Sequence, residues 1–249
     1  MTLGLRGFER LKITTEFCLR MRPLLTTDEL DLYLISQRLK QACSIGFTSK
    51  EHYYTILSAK FKFVRLQPTD PIISVLHMLN GTQWSLELQV VTARWKPKEP
   101  AFAKEFGGIN AGLDAASHQK LLDALETDSD YEKGIALGIP TEAATYFCTG
   151  GAPLAGAEHL LRMKERGEGL PMWLAYTPFI PEPDAYTNPN SPSRLLADKY
   201  MECVRRNNPS LARRCEKFFQ DVHWGRLEDT VACFREGKGL CIPASLLDI

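Results

Sequence analysis

The sequence predicts an α+β fold, with a small N-terminal α+β layer followed by a mainly helical C-terminal two-thirds. Three observations carry this. Alternating apolar and polar positions are confined to the first hundred residues. Beyond them, apolar residues recur at helical spacing. A composition of 44% hydrophobic and 24% charged residues suits a packed globular chain rather than a disordered or coiled-coil one. Residues 1–98 are read as the α+β lobe and 99–249 as the helical lobe, since 249 residues suffice for one sizeable core or two small ones.

Lys12 to Arg20 alternate, with Ile13, Thr15, Phe17 and Leu19 on one side, as a half-buried strand does. Thr26-x-x-Glu29 then offers a capping box for a helix that places Leu32, Ile35, Leu39, Ala42 and Cys43 on one face and stops at Gly46. Residues 49–67 read equally as helix or strand. Asp70-Pro71 predicts a further helix, carrying Ile72, Leu76 and Leu79 as far as Asn80-Gly81. Gln83 to Trp95 is the clearest strand, and Lys96-Pro97-Lys98-Glu99-Pro100 marks the junction between lobes.

Gly107, Gly108 and Gly112 precede a helix at about Asp114 to Glu126. Their spacing matches neither nucleotide fingerprint, so they read as a capping turn rather than a phosphate cradle. Short helices follow at Asp128 to Gly138, Thr141 to Thr149 and Ala157 to Arg166. Leu196, Tyr200, Cys203 and Val204 mark one apolar stripe, and Leu211, Cys215, Phe218, Phe219 and Val222 another. With Asn207-Asn208-Pro209 between them, the stripes predict a helical hairpin at 195–222. A last helix spans about Arg226 to Arg235.

Leu170 to Arg194 departs from all this. It holds six prolines (Pro171, Pro178, Pro181, Pro183, Pro189 and Pro192) with Trp173, Tyr176, Phe179 and Tyr186 between them. Proline removes a backbone donor and pushes its predecessor toward extended geometry, so a short strand and then a stiff loop are expected. Trp173, Tyr176, Asp184, Tyr186 and Arg194 are the candidate ligand-binding residues, polar tips on an apolar wall with a guanidinium suited to an anionic group. Cys148, followed by Thr149-Gly150-Gly151, and His159 are the candidate catalytic pair, a thiol and a base separated by flexible residues. The plainer reading of that loop is core packing, and of Cys148 a helix end. His118 and His223 stand alone and read as surface or satisfied core.

Thirty basic and thirty acidic residues leave no net field, which argues against nucleic acid as a partner. No apolar run approaches the roughly 20 residues of a membrane-spanning helix, and no signal-peptide pattern opens the chain, so a cytoplasmic location is expected. Seven scattered cysteines without a C-x-x-C pair suggest neither a disulfide framework nor a metal site. No particular cofactor is indicated. A small polar or anionic ligand beside the 170–194 loop is the expected partner, with catalysis left open. The alternative is a protein partner on that loop or on the basic hairpin carrying Arg205, Arg206, Arg213 and Arg214.

Leu137-Gly138-Ile139-Pro140, followed by Ala143, Ala144 and Phe147, resembles the L-G-Y-P-x-C-C-x-x-x-F helix start of a little-understood prokaryotic family. Tyr176-Thr177-Pro178 with Pro181, then Ser193, Ala197 and Tyr200, is similar to that family's second signature. Where the pattern has cysteines this chain has Ala143 and Ala144. The resemblance implies no activity. It does imply that Gly138-Ile139-Pro140 and the proline-aromatic loop belong together.

Overall fold

The fold, seen in a computed structural model, is α+β, a small antiparallel sheet joined to a mainly helical C-terminal part. Residues 11–12, 26–46, 67–79, 82–85, 108–150 and 152–236 are described. The chain divides into two compact units: Met1–Leu24, Asp31–Asp128 and Ala136–Gly138 form the first, and Leu25–Leu30, Ser129–Ile135 and Ile139–Ile249 the second. The expected junction at Lys96 to Pro100 lies outside the described residues, as do the undecided stretch 49–66 and most of the strands expected at 12–20 and 83–95.

In the first unit the strands are β1 (Leu11–Lys12), β2 (Ala42–Gly46), β3 (Ile72–Leu79), β4 (Thr82–Ser85) and β5 (Gly108–Gly112), ordered β1-β3-β5-β2 with β4 also on β3. Every pairing is antiparallel. β3 was expected to be a helix, and the structure corrects this. Its apolar run has no clear period, while Ile72, Ile73 and Val75 carry the branched side chains that suit a pleated surface. Leu79 pairs with Thr82, leaving just Asn80-Gly81 between two strands. A two-residue Asn-Gly link is the strongest short hairpin signal, and it outweighs the Asp-Pro helix start. Ile72 and Ile73 are both buried although adjacent, so this end of the strand has both faces covered and does not alternate.

Ala42 and Cys43, expected on a helix, are likewise in a strand. Helix α1 (Thr26–Ser36) ends sooner. Arg38 adopts φ 60°, Arg38 N–H bonds to Ile35 O at 2.9 Å, and Leu39 N–H bonds to Leu34 O at 2.9 Å. This is the left-handed terminator usually made with glycine. Here the Arg38 guanidinium bonds to Thr69 O, at 3.1 Å from Nη1 and 2.5 Å from Nη2. The chain turns there into β2, where Ser44 Oγ donates to its cross-strand partner Asn110 Oδ1 at 2.8 Å.

The glycines at 108 and 112 belong to β5, not to a capping turn, and at Gly112 the missing β-carbon lets the backbone run against the next helix. Helix α2 (Ala115–Leu125) follows where expected, capped by Asp114, whose carboxylate accepts from Ser117 N–H at 2.7 Å. That bond holds the Asp114 carboxyl below its usual range. Leu121 and Ala124 of α2 pack with Ala42 and Ala136 in a buried cluster.

The second unit is built from helices. They are α3 (Asp130–Ala136, its last residue in the first unit), α4 (Thr141–Cys148), α5 (Ala152–Glu165), α6 (Pro192–Asn207), α7 (Pro209–Phe218) and α8 (Leu227–Arg235). The hairpin α6–α7 has its expected turn. Asn208 N–H closes on Val204 O at 2.8 Å, and its side chain accepts from Leu211 N–H at 3.1 Å, so one residue ends one helix and caps the next. Ser191 caps α6 in the same way, with Pro192 at the first turn where no donor is needed. Val204, Leu211 and Cys215 are buried as the stripes predict, whereas Cys203 is only half-buried. A π-helix, Phe219–Trp224, links α7 to α8.

Candidate functional site

The 170–194 segment forms two 3₁₀ turns, Met172–Tyr176 and Pro183–Tyr186, in place of the expected strand and extended loop. Proline is tolerated at the first positions of such a turn, and short i to i+3 rings need few donors. Leu174 N–H bonds to Pro171 O at 3.0 Å and Ala185 N–H to Glu182 O at 3.1 Å. Each turn therefore begins just after or on a proline.

These turns draw some candidate residues inward and leave others outside. Tyr176 is fully buried, and its hydroxyl donates to Glu216 Oε1 at 2.8 Å. Arg205 binds the same carboxylate oxygen from Nε at 2.7 Å and lies 5.9 Å over the Tyr176 ring. Burial and the neighbouring Glu216 push the Tyr176 phenol well above its ordinary pKa, so it stays protonated. Trp173 is buried, with the Arg194 guanidinium 5.0 Å over its ring and the Tyr186 ring 5.8 Å away edge-on. Arg194 also holds Asp198 at 3.0 Å. Asp184 is exposed and accepts from Asn188 Nδ2 at 2.7 Å. Arg194, Tyr176 and Asp184 are each engaged by a different neighbour.

The His159 ring lies tilted against that of Tyr186 with centroids 4.4 Å apart, and burial together with Arg162 and Arg166 lowers its pKa. Cys148 lies exposed at the end of α4. No hydrogen bond joins the two among the described residues. Glu182, which sequence reasoning did not single out, is 7% exposed; its Oε2 accepts from Ser193 Oγ and its Oε1 has no partner in the structure.

A cavity of about 400 Å³ lies within this unit. One wall is the proline-aromatic segment itself, through Leu174, Ala175, Thr177 to Pro181 and Tyr186. Helix α5 supplies Gly156, Ala157 and Leu160 from one face, at the i, i+1, i+4 spacing of a helix surface. The remaining wall is Phe218, Phe219 and His223 around the π-helix, with Leu227, Thr230 and Phe234 of α8 and Thr26, Thr27 and Leu30 of α1. Of the seven candidate residues, Tyr186 alone is on this wall. Of the others, Tyr176, Asp184 and Arg194 have their polar tips bound to Glu216, Asn188 and Asp198. Small Gly156 and Ala157 of α5 share this wall with Phe218 and Phe219, a combination that sequence alone does not separate from core.

Polar atoms on the wall belong to uncharged groups. Burial pushes the Tyr186 phenol up and the Cys215 thiol up to about 12, so both remain protonated at neutral pH. His223 sits against Phe218 and Phe219 at 5.6 and 5.5 Å between ring centroids, and burial lowers its pKa. A histidine of depressed pKa favours folding while neutral. Its contribution is present above the unfolded value of about 6.5 and is lost as pH falls through the folded value. We expect wild-type stability to decline below about pH 6.5 by more than that of His223→Gln, whose amide does not titrate in this range. Denaturant midpoints measured across pH check this, and parallel curves for the two proteins would refute it.

Among the described residues no group of His, Cys, Asp and Glu could hold a metal ion, and no helix is long and apolar enough to cross a membrane. The second unit thus defines a helical module with a half-open apolar chamber. Compared with protein-family models, with curated proteins and with solved structures, the chain matches none.

Proposed function

We propose that this protein binds a small molecule in the cavity beside the 170–194 segment. The observation that carries the reading is the cavity's make-up. Roughly 300–1,000 Å³ is the usual range for small-molecule sites, and most such sites are apolar with a few placed polar groups. At about 400 Å³, lined by aliphatic and phenylalanine side chains with a few hydroxyls and one imidazole, this one fits. The ligand differs from the small polar or anionic one that the sequence suggested. Arg194, the expected anion partner, is bound to Asp198 and stacked on Trp173.

A protein partner on the basic hairpin has less support. Arg205 pairs with Glu216, Arg206 with Glu202, Arg214 with Glu29 and Lys217 with Asp221. Pairing of this kind cancels the local field that would draw an acidic partner.

Titration with Nile red, an uncharged dye that brightens in apolar surroundings, tests the reading. Saturable binding is expected in the wild type. Ala157→Phe, which places a ring in the chamber, is expected to weaken it about ten-fold or more, because filled volume excludes the ligand. Helical circular dichroism of the variant reports whether it has kept its fold. A folded Ala157→Phe protein that binds the dye as well as wild type would place binding elsewhere and sink the proposal.

A further inference from the structure

From the chemistry of the chamber wall, and resting on the small-molecule reading above, we infer that the ligand is an uncharged lipophile bearing a hydroxyl or carbonyl oxygen. Three observations support this class over the amphiphilic acids and amines that apolar cavities also accept.

First, no Lys, Arg, Asp or Glu stands on the wall among the described residues. A carboxylate or ammonium entering such a chamber sheds its water and meets no counter-charge. An unpaired ion held out of water is strongly disfavoured even after relaxation. Nearby charges are engaged outside the wall: Arg214 with Glu29, and Glu216 with Arg205 and Tyr176.

Second, the wall is not purely hydrocarbon. Thr26, Thr27, Thr230, Tyr186 and His223 line it, and each carries a group that can donate to or accept from a neutral oxygen. Thr177, by contrast, already donates to Trp173 O at 3.1 Å. A bare hydrocarbon would leave the bordering polar groups without a partner, whereas one alcohol or carbonyl group satisfies one or two of them.

Third, the polar groups are spread over separate elements. Tyr186 comes from the second 3₁₀ turn, His223 from the π-helix, Thr230 from α8 and the two threonines from α1. Single-turn π segments recur at functional sites because they re-aim a side chain out of the regular helical ladder. Here the π-helix carries His223 to the chamber, with the Phe218 ring edge-on to the imidazole and the Phe219 ring tilted against it.

Calorimetric titration with decanol and with decanoate at neutral pH separates the head-group classes on a common alkyl chain. Decanol is expected to bind, with decanoate at least about ten-fold weaker, since one order of magnitude corresponds to about 1.4 kcal/mol of unpaid desolvation. Ala157→Phe is expected to weaken decanol as it weakens Nile red. Decanoate binding as tightly as decanol, or tighter, would overturn the uncharged class while leaving the cavity reading in place. Failure of both with Nile red still bound overturns the class as well. Failure of both together with Nile red overturns the cavity reading itself.

Discussion

Gly112→Ala is expected to destabilise the sheet-bearing unit by about 3 kcal/mol, at the upper end of what overpacking costs. A β-carbon at position 112 would stand 2.4 Å from His118 N and 2.5 Å from His118 Cα. These are backbone atoms of helix α2, which cannot rotate away as a side chain would. Gly112 is also fixed on its other side, because it pairs with both Ala42 of β2 and Ile72 of β3. Relief thus requires moving α2 off the sheet, which opens the cluster holding Leu121 and Ala124. Gly169→Ala is the control, since no atom lies within 4 Å of its added carbon, and it is expected to change stability by about 0.5 kcal/mol or less. Denaturant midpoints measure both. Equal midpoints for Gly112→Ala and wild type would show that α2 does not approach the strand this closely.

That close approach explains why the first unit was harder to read than the second. Gly108 and Gly112 look like loop residues in sequence yet are strand positions, and only the neighbouring helix reveals that Gly112 has no room for a side chain. Ala42, Cys43, Ile72 and Ile73 are adjacent pairs buried on both sides, so the period of two that marks a strand is erased there. Arg38 conceals the end of α1, because a left-handed terminator is read from glycine and here a guanidinium bonded to Thr69 accompanies it. The hairpin α6–α7 suffers none of this. Its apolar stripes, Asn208, and the prolines at 192 and 209 all act locally, and local signals survive without knowledge of the partner surface.

The candidate site was legible by location and not by residue. The proline-aromatic segment does border the chamber, yet through apolar Leu174, Phe179 and Ile180 and, of its candidate ligand contacts, through Tyr186 alone. Aromatic and charged residues attract notice as ligand contacts, but a buried phenol or a guanidinium over a ring is just as often satisfied by its own protein. Tyr176 with Glu216 and Arg194 with Trp173 are such cases. An apolar wall carries no sequence mark that separates it from core. The small Gly156 and Ala157 on that wall leave volume that larger side chains would take up.

Arg214→Ala is the second substitution expected to act strongly, and it links stability to the chamber. Arg214 Nη2 donates to Glu29 Oε1 at 2.5 Å, and the Glu29 side chain is 5% exposed while that of Arg214 is 36% exposed. Arg214 Nη1 is steadied by Ser210 Oγ at 3.0 Å. Glu29 stands in the first turn of α1, where a negative charge also suits the helix dipole. Removing one member of a buried ion pair costs about 3–5 kcal/mol; with Arg214 partly in solvent the expectation falls to about 2 kcal/mol. Arg214→Lys keeps the charge and loses the fork, so a smaller loss of about 1 kcal/mol follows. Glu29→Gln combined with Arg214→Ala is expected to recover part of the Arg214→Ala loss, because the stranded charge is gone. Thr26, Thr27 and Leu30 of the same helix segment line the chamber, so Arg214→Ala is also expected to weaken Nile red binding although Arg214 is not on the wall. A double-mutant cycle with no coupling between positions 29 and 214 would show that the pair does not hold α1 in place. Coupling without any change in dye affinity would show that α1 is held yet its first turn is dispensable to the ligand.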